Sequence, residues 1–396
     1  MSKIYIHIPF CVKKCTYCNF FSSTDLSCLE DFVKSLCREM DLRRDYLNGI
    51  SSDTLYMGGG TPSVLQPAVI EQIISYARKT FGLKTDAEIT LEANPNNLNE
   101  EYIKQLADTS VNRLSIGIQS FFDENLNVLG RIHTGKQALD CMEWLNKHHF
   151  SAISVDLMYG YPLLIENQWK KNLETVKAVN HLSCYSLSLE PDSNLYKQIK
   201  DKLYPPPDEE EVISHYQILT NFAKNNDFIH YETSNFCKSG HFSKHNLAYW
   251  QDEIYIGLGP SAHSFNRFHR QWNKADIYKY ITQIQAIHNA EQWELKGKNT
   301  IFEQEILTPT MRVNEYIMTS LRTIWGCDLQ YIKNCFGDFF YAKLYRKLKT
   351  INSQLYKLED NKLILSEKGN LLADAIASDL FFEEEGHRGD KEDWLG

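Results

Sequence analysis

The stretch YIHIPFCVKKCTYCNF, residues 5–20, decides how the rest of the chain is interpreted. It places Cys11, Cys15 and Cys18 in a Cys-x3-Cys-x2-Cys loop directly after a predicted first strand. Soft thiolates select zinc, copper or iron–sulfur centres over hard cations. Three thiolates this close together can bind three irons of a 4Fe–4S cluster. No fourth cysteine has a spacing that would complete the set, so one iron would stay open to a ligand that is not protein.

A zinc site is the weaker hypothesis for the same loop, because zinc usually takes four protein ligands, often as two pairs. The nearest histidine, His7, lies inside the predicted strand, and the next cysteine is Cys28. The chain has ten cysteines, and only the first three cluster. We therefore expect reduced thiols rather than a disulfide framework, with most of the others buried as small apolar groups.

Length and composition limit the broad class. A chain of 396 residues allows two to three domains, or one large α/β domain and a smaller one. The sequence contains no apolar run of about 18 residues and no signal-peptide pattern, which predicts a cytoplasmic protein without a transmembrane helix. The net charge of −9 argues against a nucleic-acid partner, since that requires a basic face.

From residue 3 to about 235, strand-like runs alternate with helical periodicity. The predicted strands are Lys3–Ile8, Thr54–Met57, Glu88–Glu92, Arg113–Gly117, Ala152–Leu157 and Leu182–Leu189. The predicted helices are Leu29–Tyr46, Pro67–Thr80, Glu100–Asp108, Lys136–His148, Asn167–Val179 and Glu209–Asn225. This alternation predicts an α/β fold with a parallel sheet. Six units are too few for a closed eight-stranded barrel and favour a partial, open (β/α)6 barrel.

The remaining chain changes character. Residues 236–298 are predicted to close the barrel and are irregular as far as 268, where they are rich in Gly, His, Ser and aromatic residues. Residues 299–382 are predicted to form helices followed by a short β pair around Asp360-Asn361, an α+β arrangement like a winged helix. Its usual DNA-binding role is disfavoured by the acidic balance. Residues 383–396 are predicted to be a disordered acidic tail.

Polar residues follow several strands of the predicted barrel. The stretch Gly58-Gly-Gly-Thr-Pro62 follows the second strand, and its glycines allow close approach of a ligand, with N–H groups directed at a carboxylate. Glu92, Gln119 and Asp156 end the third, fourth and fifth strands, and Arg131 comes shortly after the fourth. Because the carboxyl ends of parallel strands lie at one edge, these residues predict a ligand site there.

The cysteine loop resembles the signature of the radical SAM superfamily. In that family the three cysteines hold three irons, and the fourth iron chelates the amino and carboxylate groups of S-adenosylmethionine (SAM). An electron from the cluster then cleaves SAM into methionine and a 5′-deoxyadenosyl radical, so that the cofactors supply the difficult chemistry. The wider string from Tyr5 to Cys11 is similar to the branch that contains the oxygen-independent coproporphyrinogen III oxidase.

This resemblance implies a set of SAM contacts. They are Tyr5, Tyr17, Gly59, Gly60, Thr61, Glu92, Gln119, Arg131, Asp156, Ser188 and Ala262. The glycines match a motif that contacts the SAM amino group, with Thr61 where many members have glutamate. Gln119, Arg131 and Asp156 match positions that hold a second SAM in the oxidase, and whether one or two SAM molecules bind stays open. Ala262 lies in a stretch that resembles the family's closing loop, which touches SAM near Ala262 or His263.

Two features resemble the HemW-type haem chaperones within this branch. Phe20 stands where the oxidase has a fourth cysteine, and a phenyl ring cannot replace a thiol. The string His245-Asn246-Leu-Ala-Tyr249-Trp250 matches a motif associated with haem. Imidazole is a common axial ligand of haem iron, and the aromatic residues offer flat apolar surface. The alternative haem ligands are His241, His263 and His269, and the plain alternative is that His245 and Trp250 only pack the end of the barrel.

The resemblance therefore implies a chaperone that binds the cluster, SAM and haem and delivers haem to membrane or respiratory proteins. It would need a low-potential electron donor, and a homodimer is left open. The main alternative is an enzyme that decarboxylates coproporphyrinogen III to protoporphyrinogen IX. Phe20 and the short segment before Tyr5 argue against that enzyme. A radical methylating or similar tailoring enzyme is a third hypothesis.

Overall fold

The computed structural model describes residues 1–148, 150–293 and 300–383. These residues form two compact units along the chain. The first comprises Met1–Ala248 and Glu253–Glu305, and the second comprises Tyr249–Asp252 and the chain from Ile306 onward. Within the described residues, no helix is long and apolar enough to cross a membrane.

A twelve-stranded sheet is the framework of the first unit. Its strands are β1 (Ser2–Ile8), β2 (Ser52–Gly59), β3 (Glu88–Ala93), β4 (Arg113–Gln119), β5 (Ala152–Tyr159), β6 (His181–Ser186), β7 (Ile229–Glu232), β8 (Asn235–Cys237), β9 (Tyr255–Leu258), β10 (His263–Phe265), β11 (His269–Asn273) and β12 (Phe302–Ile306). Their order across the sheet is β12-β11-β10-β9-β1-β2-β3-β4-β5-β6-β8-β7. Strands β9 and β1 to β6 pair in parallel, whereas β10 pairs antiparallel with β9 and β8 pairs antiparallel with β6.

Helices follow the parallel strands. They are α1 (Leu29–Leu42), α2 (Pro67–Phe81), α3 (Glu100–Ala107), α4 (Asp123–Val128), α5 (Gly135–Asn146), α6 (Glu166–Thr175), α7 (Asn194–Lys200), α8 (Glu209–Asn225), α9 (Lys244–Trp250), α10 (Ile277–Ala286) and α11 (Ala290–Gln292), with 3-10 turns at Pro62–Val64 and Pro95–Asn97. The α/β fold with a partial (β/α)6 barrel, predicted from the alternation, is confirmed by strands β1 to β6 in sequence order.

Alternation along the strands explains how the sheet is covered. In β1, Ile4, Ile6 and Ile8 are completely buried and belong to a core shared with the apolar sides of the helices. Successive side chains of a strand point to opposite faces, so Tyr5 and His7 lie on the other face. The same alternation in the neighbouring strands brings polar and aromatic side chains together on that second face.

Strand β9 was not expected from the sequence, because residues 236–268 give no clear periodicity. It is only four residues long, and Gly257 lies within it. Nevertheless it pairs in parallel with β1 from Lys3 to Ile6. This pairing makes β9 the seventh parallel strand and places the segment that follows it beside the cysteine-bearing end of β1.

The second unit is built from helices and a small sheet. Its elements are α12 (Pro309–Leu321), α13 (Leu329–Phe336), α14 (Asp338–Leu348), α15 (Glu367–Asn370), α16 (Ala373–Leu380), β13 (Cys327–Asp328), β14 (Tyr356–Glu359) and β15 (Lys362–Leu365). Asp360 and Asn361 have φ angles of 48° and 62°, as a tight hairpin turn requires. Helices followed by a hairpin are the order predicted from sequence. Most of the predicted tail (residues 384–396) and residues 294–299 lie outside the described residues.

Candidate cluster and cofactor site

The three N-terminal cysteines lie in the loop between β1 and α1. The amide of Cys11 donates to the carbonyl of Ser23 at 2.9 Å, and that of Cys18 donates to the carbonyl of Cys15 at 3.4 Å. Cys11 is buried, and the other two are partly exposed. The loop is therefore closed on itself, with its thiols at the end of β1.

The thiols are close enough to influence one another. Burial raises the pKa of Cys18, and the charges of Cys15 and then Cys11 raise it further. In the described ranges, no three or more His, Cys, Asp or Glu side chains are placed to hold a single metal ion. A 4Fe–4S cluster binds each cysteine through a different iron, which requires sulfurs spaced more widely than the ligands of one ion. The donor set of this loop fits such a cluster.

Two side chains from other loops contact the cysteine sulfurs. Arg131 Nη1 lies 3.3 Å from Cys15 Sγ, and Thr61 Oγ1 donates to Cys11 Sγ at 3.4 Å. Arg131 also donates through Nη2 to Asn94 Oδ1 at 2.6 Å. These contacts bring the predicted residues Thr61, after β2, and Arg131, after α4, to the cysteine loop.

The loop is also tied to the segment after α4. Thr16 donates its amide to the carbonyl of Leu129 at 3.2 Å and its hydroxyl to that of Val128 at 2.8 Å. Its own carbonyl accepts from the amide of Leu195 at 2.8 Å. Gly130 has a φ of 68°, and a Cβ there would lie 2.7 Å from Thr16 Cγ2. Close packing at Gly130 therefore fixes the position of the cysteine loop.

The glycine stretch after β2 packs tightly against β1. Gly59 has a φ of 103°, and a Cβ there would lie 2.4 Å from the His7 ring; at Gly60 a Cβ would lie 2.6 Å from the carbonyl oxygen of Phe10. The predicted role of the N–H groups at a ligand carboxylate is wrong for Gly59, Gly60 and Thr61. Their amides donate inside the protein, to a side chain and two carbonyls. The carbonyls of Thr61 and Pro62 also accept inside the protein, from the amides of Val64 and Leu65, both at 3.0 Å.

Two acidic side chains face the interior at this edge. Glu92 accepts from the hydroxyl of Tyr56 at 2.7 Å and from the amide of Gly59 at 3.2 Å. Burial raises the pKa of Glu92 to about 7, although the Tyr56 hydrogen bond lowers it. Burial likewise raises the pKa of Asp156 to about 6, and this carboxylate accepts from the hydroxyl of Ser115 at 3.0 Å. A pair of desolvated carboxyl groups fits a cationic ligand.

Gln119 carries an unsatisfied acceptor. Its side chain is buried, and Oε1 has no hydrogen-bond partner. Its amide group, Asn94 Oδ1 and Arg131 Nη2 all lie within 3.3 Å of where a Cβ of Gly117 would be. A buried acceptor without a partner is costly, so this arrangement fits a ligand that donates a hydrogen bond.

The predicted tyrosines belong to the same region. Tyr5 lies beside Tyr56 with ring centroids 6.2 Å apart, and its hydroxyl is 3.2 Å from His7 Nδ1. Burial raises the pKa of Tyr5 and also that of Tyr17, which interacts with Arg131. Both phenols are therefore neutral hydrogen-bonding groups at this edge.

Three more residues named in the sequence analysis are Ser188, Phe20 and Ala262. Ser188 is exposed, and its hydroxyl donates to Glu190 at 3.2 Å, because β6 ends earlier than predicted, at Ser186. Phe20 is 69% exposed at the end of the cysteine loop. Ala262 is buried, and its amide donates to the carbonyl of Gly259 at 3.2 Å.

A buried ion pair that sequence reasoning missed anchors the segment around Ala262. Arg43 Nη1 lies 3.1 Å from Glu39 Oε1 and donates to the carbonyl of Gly257 at 2.7 Å. Glu39 Oε2 accepts from the amide of Gly259 at 2.8 Å and from the hydroxyl of Tyr280 at 2.7 Å. The i, i+4 spacing of Glu39, in the last turn of α1, and Arg43, just after it, was the available signal. Tyr56 was also missed, although it precedes Gly58 by two residues and so shares its face.

The predicted haem motif lies on α9, which crosses from one unit to the other. In the first unit, His245 is 1% exposed, and its Nδ1 is 2.7 Å from Thr54 Oγ1. Burial, with the charge of Lys3, lowers the pKa of His245 to about 3. Asn246 Nδ2 donates to the hydroxyl of Tyr231 at 3.4 Å. Axial haem ligation by this enclosed imidazole would require a conformation other than this one.

The other aromatic residues of the motif belong to the second unit. Tyr249 and Trp250 are half-buried, and the indole nitrogen of Trp250 is buried without a hydrogen-bond partner. The guanidinium of Arg322 lies 5.5 Å from the Trp250 ring centroid. Of the alternative histidines, His263 is exposed and stacks on Trp272 at 6.1 Å. The structure thus separates the motif into a buried imidazole and a tryptophan held under a cation.

Comparisons with known proteins agree with this geometry. Residues 5–176 match the radical SAM superfamily. The chain is 31% identical to the heme chaperone HemW of Lactococcus lactis, over 92% of this chain and 93% of that one. It is 30% identical to the mitochondrial radical S-adenosyl methionine domain-containing protein 1 of Danio rerio, over 96% and 87% of the two chains. The solved coproporphyrinogen III oxidase of Escherichia coli superposes with a TM-score of 0.80 at 21% identity, covering 96% and 90%.

The chain is therefore a radical SAM protein, with the partial barrel and the three-cysteine loop of that class. Within the class it belongs to the HemW family, as its near full-length similarity to the Lactococcus protein establishes. The resemblance to the radical SAM superfamily and to the HemW-type branch, inferred from the sequence, is confirmed. Membership implies a 4Fe–4S cluster and SAM, and the cysteine loop and the buried acceptors at the strand ends fit both.

Proposed function

We propose that this protein is a cytoplasmic haem chaperone that binds a 4Fe–4S cluster, SAM and haem and delivers haem to haem-dependent membrane or respiratory proteins. The observation that carries the proposal is similarity over nearly the whole chain to a protein named as a heme chaperone. Phe20 supports it, because the cysteine loop has no thiol at the position where the oxidase has its fourth cysteine.

The residues of the first unit have distinct parts in this function. Cys11, Cys15 and Cys18 would hold three irons, and the cluster with SAM supplies redox chemistry that assembles or regulates the chaperone. Glu92 would accept the SAM ammonium, because its carboxylate lies beside a glycine stretch whose amides are already used. Gln119 Oε1 would accept a donor from SAM, which would satisfy a buried oxygen.

The residues proposed to bind haem are different from those proposed to contact SAM. Motif residues Asn246, Tyr249 and Trp250 remain candidates, together with His241, His263 and His269, whereas the enclosed His245 would take part only in another conformation. An imidazole ligand and flanking aromatic rings are the chemistry that a porphyrin requires. A low-potential electron donor, an acceptor that takes the haem, and a homodimer are further parts of the proposal.

One preparation tests the proposal. Protein reconstituted without oxygen should contain about four irons per chain and absorb broadly in the visible range. Cys15→Ala should lose that band, whereas Cys28→Ala, a cysteine of the same N-terminal region, should keep it. Added haem should give a shifted Soret band and pass to an apo-acceptor protein. Turnover of coproporphyrinogen III with SAM and reductant would instead support the oxidase, and absence of haem binding would overturn the chaperone.

A further inference from the structure

We infer that His245 is a positioning residue for the SAM site, which holds Glu92 in place through Tyr56 rather than binding haem iron. The inference rests on the proposed function, because it takes Glu92 as a SAM contact. It assigns a role in the first unit to the residue that the sequence motif associates with haem.

The His245 side chain is fixed by contacts on several sides. Its Nδ1 lies 2.7 Å from the hydroxyl of Thr54, a completely buried residue of β2. Its own backbone amide donates to Glu88 Oε1 on β3 at 3.0 Å. Helix α9 is therefore docked on two neighbouring strands at this residue, and the imidazole has no open face for a metalloporphyrin.

The ring completes an aromatic cluster with two tyrosines. The His245 and Tyr56 centroids are 5.1 Å apart with an interplanar angle of 28°, and the Tyr5 centroid is 6.5 Å from that of His245. Tyr5 and Tyr56 are themselves paired across β1 and β2. Since the imidazole is neutral when buried, it packs against these rings as an uncharged flat surface.

Tyr56, whose ring position is fixed by His245, in turn fixes the carboxylate of Glu92. Tyr56 donates its hydroxyl to Glu92 Oε1 at 2.7 Å, and the other carboxylate oxygen accepts from the amide of Gly59 at 3.2 Å. The direction of the hydroxyl depends on where the Tyr56 ring sits, and the ring sits against His245. Removal of the imidazole would let the ring move and leave Glu92 held from one side only.

The test compares SAM binding in cluster-loaded wild-type protein and in His245→Ala, Tyr56→Phe and the double variant, by equilibrium dialysis without oxygen. Each single change should weaken SAM binding about tenfold, the effect of losing one hydrogen bond to a charged group. The double variant should bind SAM no more weakly than the single variant with the lower affinity, because both changes act on the same contact. Iron content should stay at the wild-type level.

Two controls separate positioning from loss of folding. Tyr102→Phe removes another partly buried hydroxyl, one that donates to the carbonyl of Leu65 at 2.8 Å, and should bind SAM as the wild type does. Thr54→Val removes the hydrogen bond to the His245 imidazole but leaves the ring in its site. It should therefore weaken SAM binding less than His245→Ala does. If the alanine variant does not fold, this valine variant provides the measurement.

Haem titration of the same samples distinguishes this inference from the proposed function. An unchanged Soret shift in His245→Ala, with weaker SAM binding, supports the positioning role. Loss of the Soret shift with unchanged SAM affinity, or losses that multiply in the double variant, overturns it. Wild-type protein that binds SAM but no haem overturns the chaperone proposal and leaves the positioning role standing. Wild-type protein that binds no SAM overturns both.

Discussion

The guanidinium of Arg131 lies 3.3 Å from the sulfur of Cys15 and joins the loop after α4 to the cysteine loop after β1. The same guanidinium donates to Asn94 Oδ1 at 2.6 Å and to the carbonyl of Gly117. One cation therefore connects the ends of β1, β3 and β4. Its positive charge lies beside the cysteine sulfurs that would hold the cluster. Its hydrogen bonds fix the strand ends at which the SAM contacts are predicted.

Replacement of this cation should weaken the hold on the cluster. We expect Arg131→Met to reconstitute with less iron and to lose it faster to a chelator, because Cys15 loses a charged donor and Asn94 loses a partner. A hydrogen bond to a charged group contributes about 1.5–3 kcal/mol. Arg44→Met is the matched control, since Arg44 is exposed and pairs with Asp41 on the surface. Equal iron retention in both variants would contradict this role.

The half-buried carboxyl of Glu92 should make stability depend on pH. Its pKa is raised from 4.5 to about 7, so the folded apo-protein holds a proton that the unfolded chain releases. The contribution of this proton to stability is fully present below pH 4.5 and is lost as the pH rises through about 7. The whole effect is at most about 3 kcal/mol.

Glu92→Gln removes that titration. Relative to wild type, the variant should gain thermal stability as the pH is raised from below to above the folded pKa of Glu92. Glu101→Gln, an exposed change on α3, should follow the wild-type pH profile. Parallel melting profiles for the wild-type and Glu92→Gln apo-proteins across this range would show that the carboxyl does not titrate as inferred.

The sequence predicts the strands of the barrel well because each has one face in the core. The alternation in β1 to β6 depends on burial against helices, and burial leaves a pattern in the residues themselves. Strand β9 leaves no such pattern, since its four residues include Gly257 and pair with β1 from far along the chain. The long-range pairing, not local preference, makes it a strand.

The residues of the candidate site also fall into two groups, those that the sequence predicts and those that only the folded structure reveals. Cys11, Cys15 and Cys18 could be identified because their spacing alone expresses the chemistry. The placement of His245 could not, because its partner Thr54 is 191 positions away and nothing local distinguishes a buried imidazole from a ligand. The amides of the glycine stretch were likewise misassigned, since only the packing against β1 reveals that they are already bonded.

The buried pair Glu39–Arg43 should be strongly stabilising. Arg43→Met would leave the carboxylate of Glu39 without its cation in a site that is closed to water. Breaking a buried pair in this way costs about 3–5 kcal/mol. The exposed Lys34 is the control, because its pairs with Glu30 and Asp31 are solvated and its loss should cost less than about 1 kcal/mol.

Urea denaturation followed by tryptophan fluorescence measures the difference between these two variants. We expect a clearly lower midpoint for Arg43→Met and a wild-type midpoint for Lys34→Ala. Since Glu39 also holds the amide of Gly259, SAM binding should weaken in the first variant only. Similar midpoints for the two variants would mean that Glu39 finds another partner when Arg43 is absent.

The contact between Gly130 and Thr16 allows a test of how the cysteine loop is seated. Gly130 and Gly82 both adopt left-handed backbone conformations, with φ angles of 68° and 60°. A Cβ at Gly130 would lie 2.7 Å from Thr16 Cγ2, whereas at Gly82 the nearest heavy atom is 3.9 Å away, in Ser51.

Alanine at either position costs about 1–2 kcal/mol for the backbone conformation alone. Only Gly130→Ala should also displace the residue next to Cys15, so that it loses iron several-fold faster to a chelator than wild type, while Gly82→Ala keeps the wild-type rate. Iron release measured at equal loading, beside the melting temperature of each variant, separates the two effects, and equal release rates would mean that the loop is not held through Thr16.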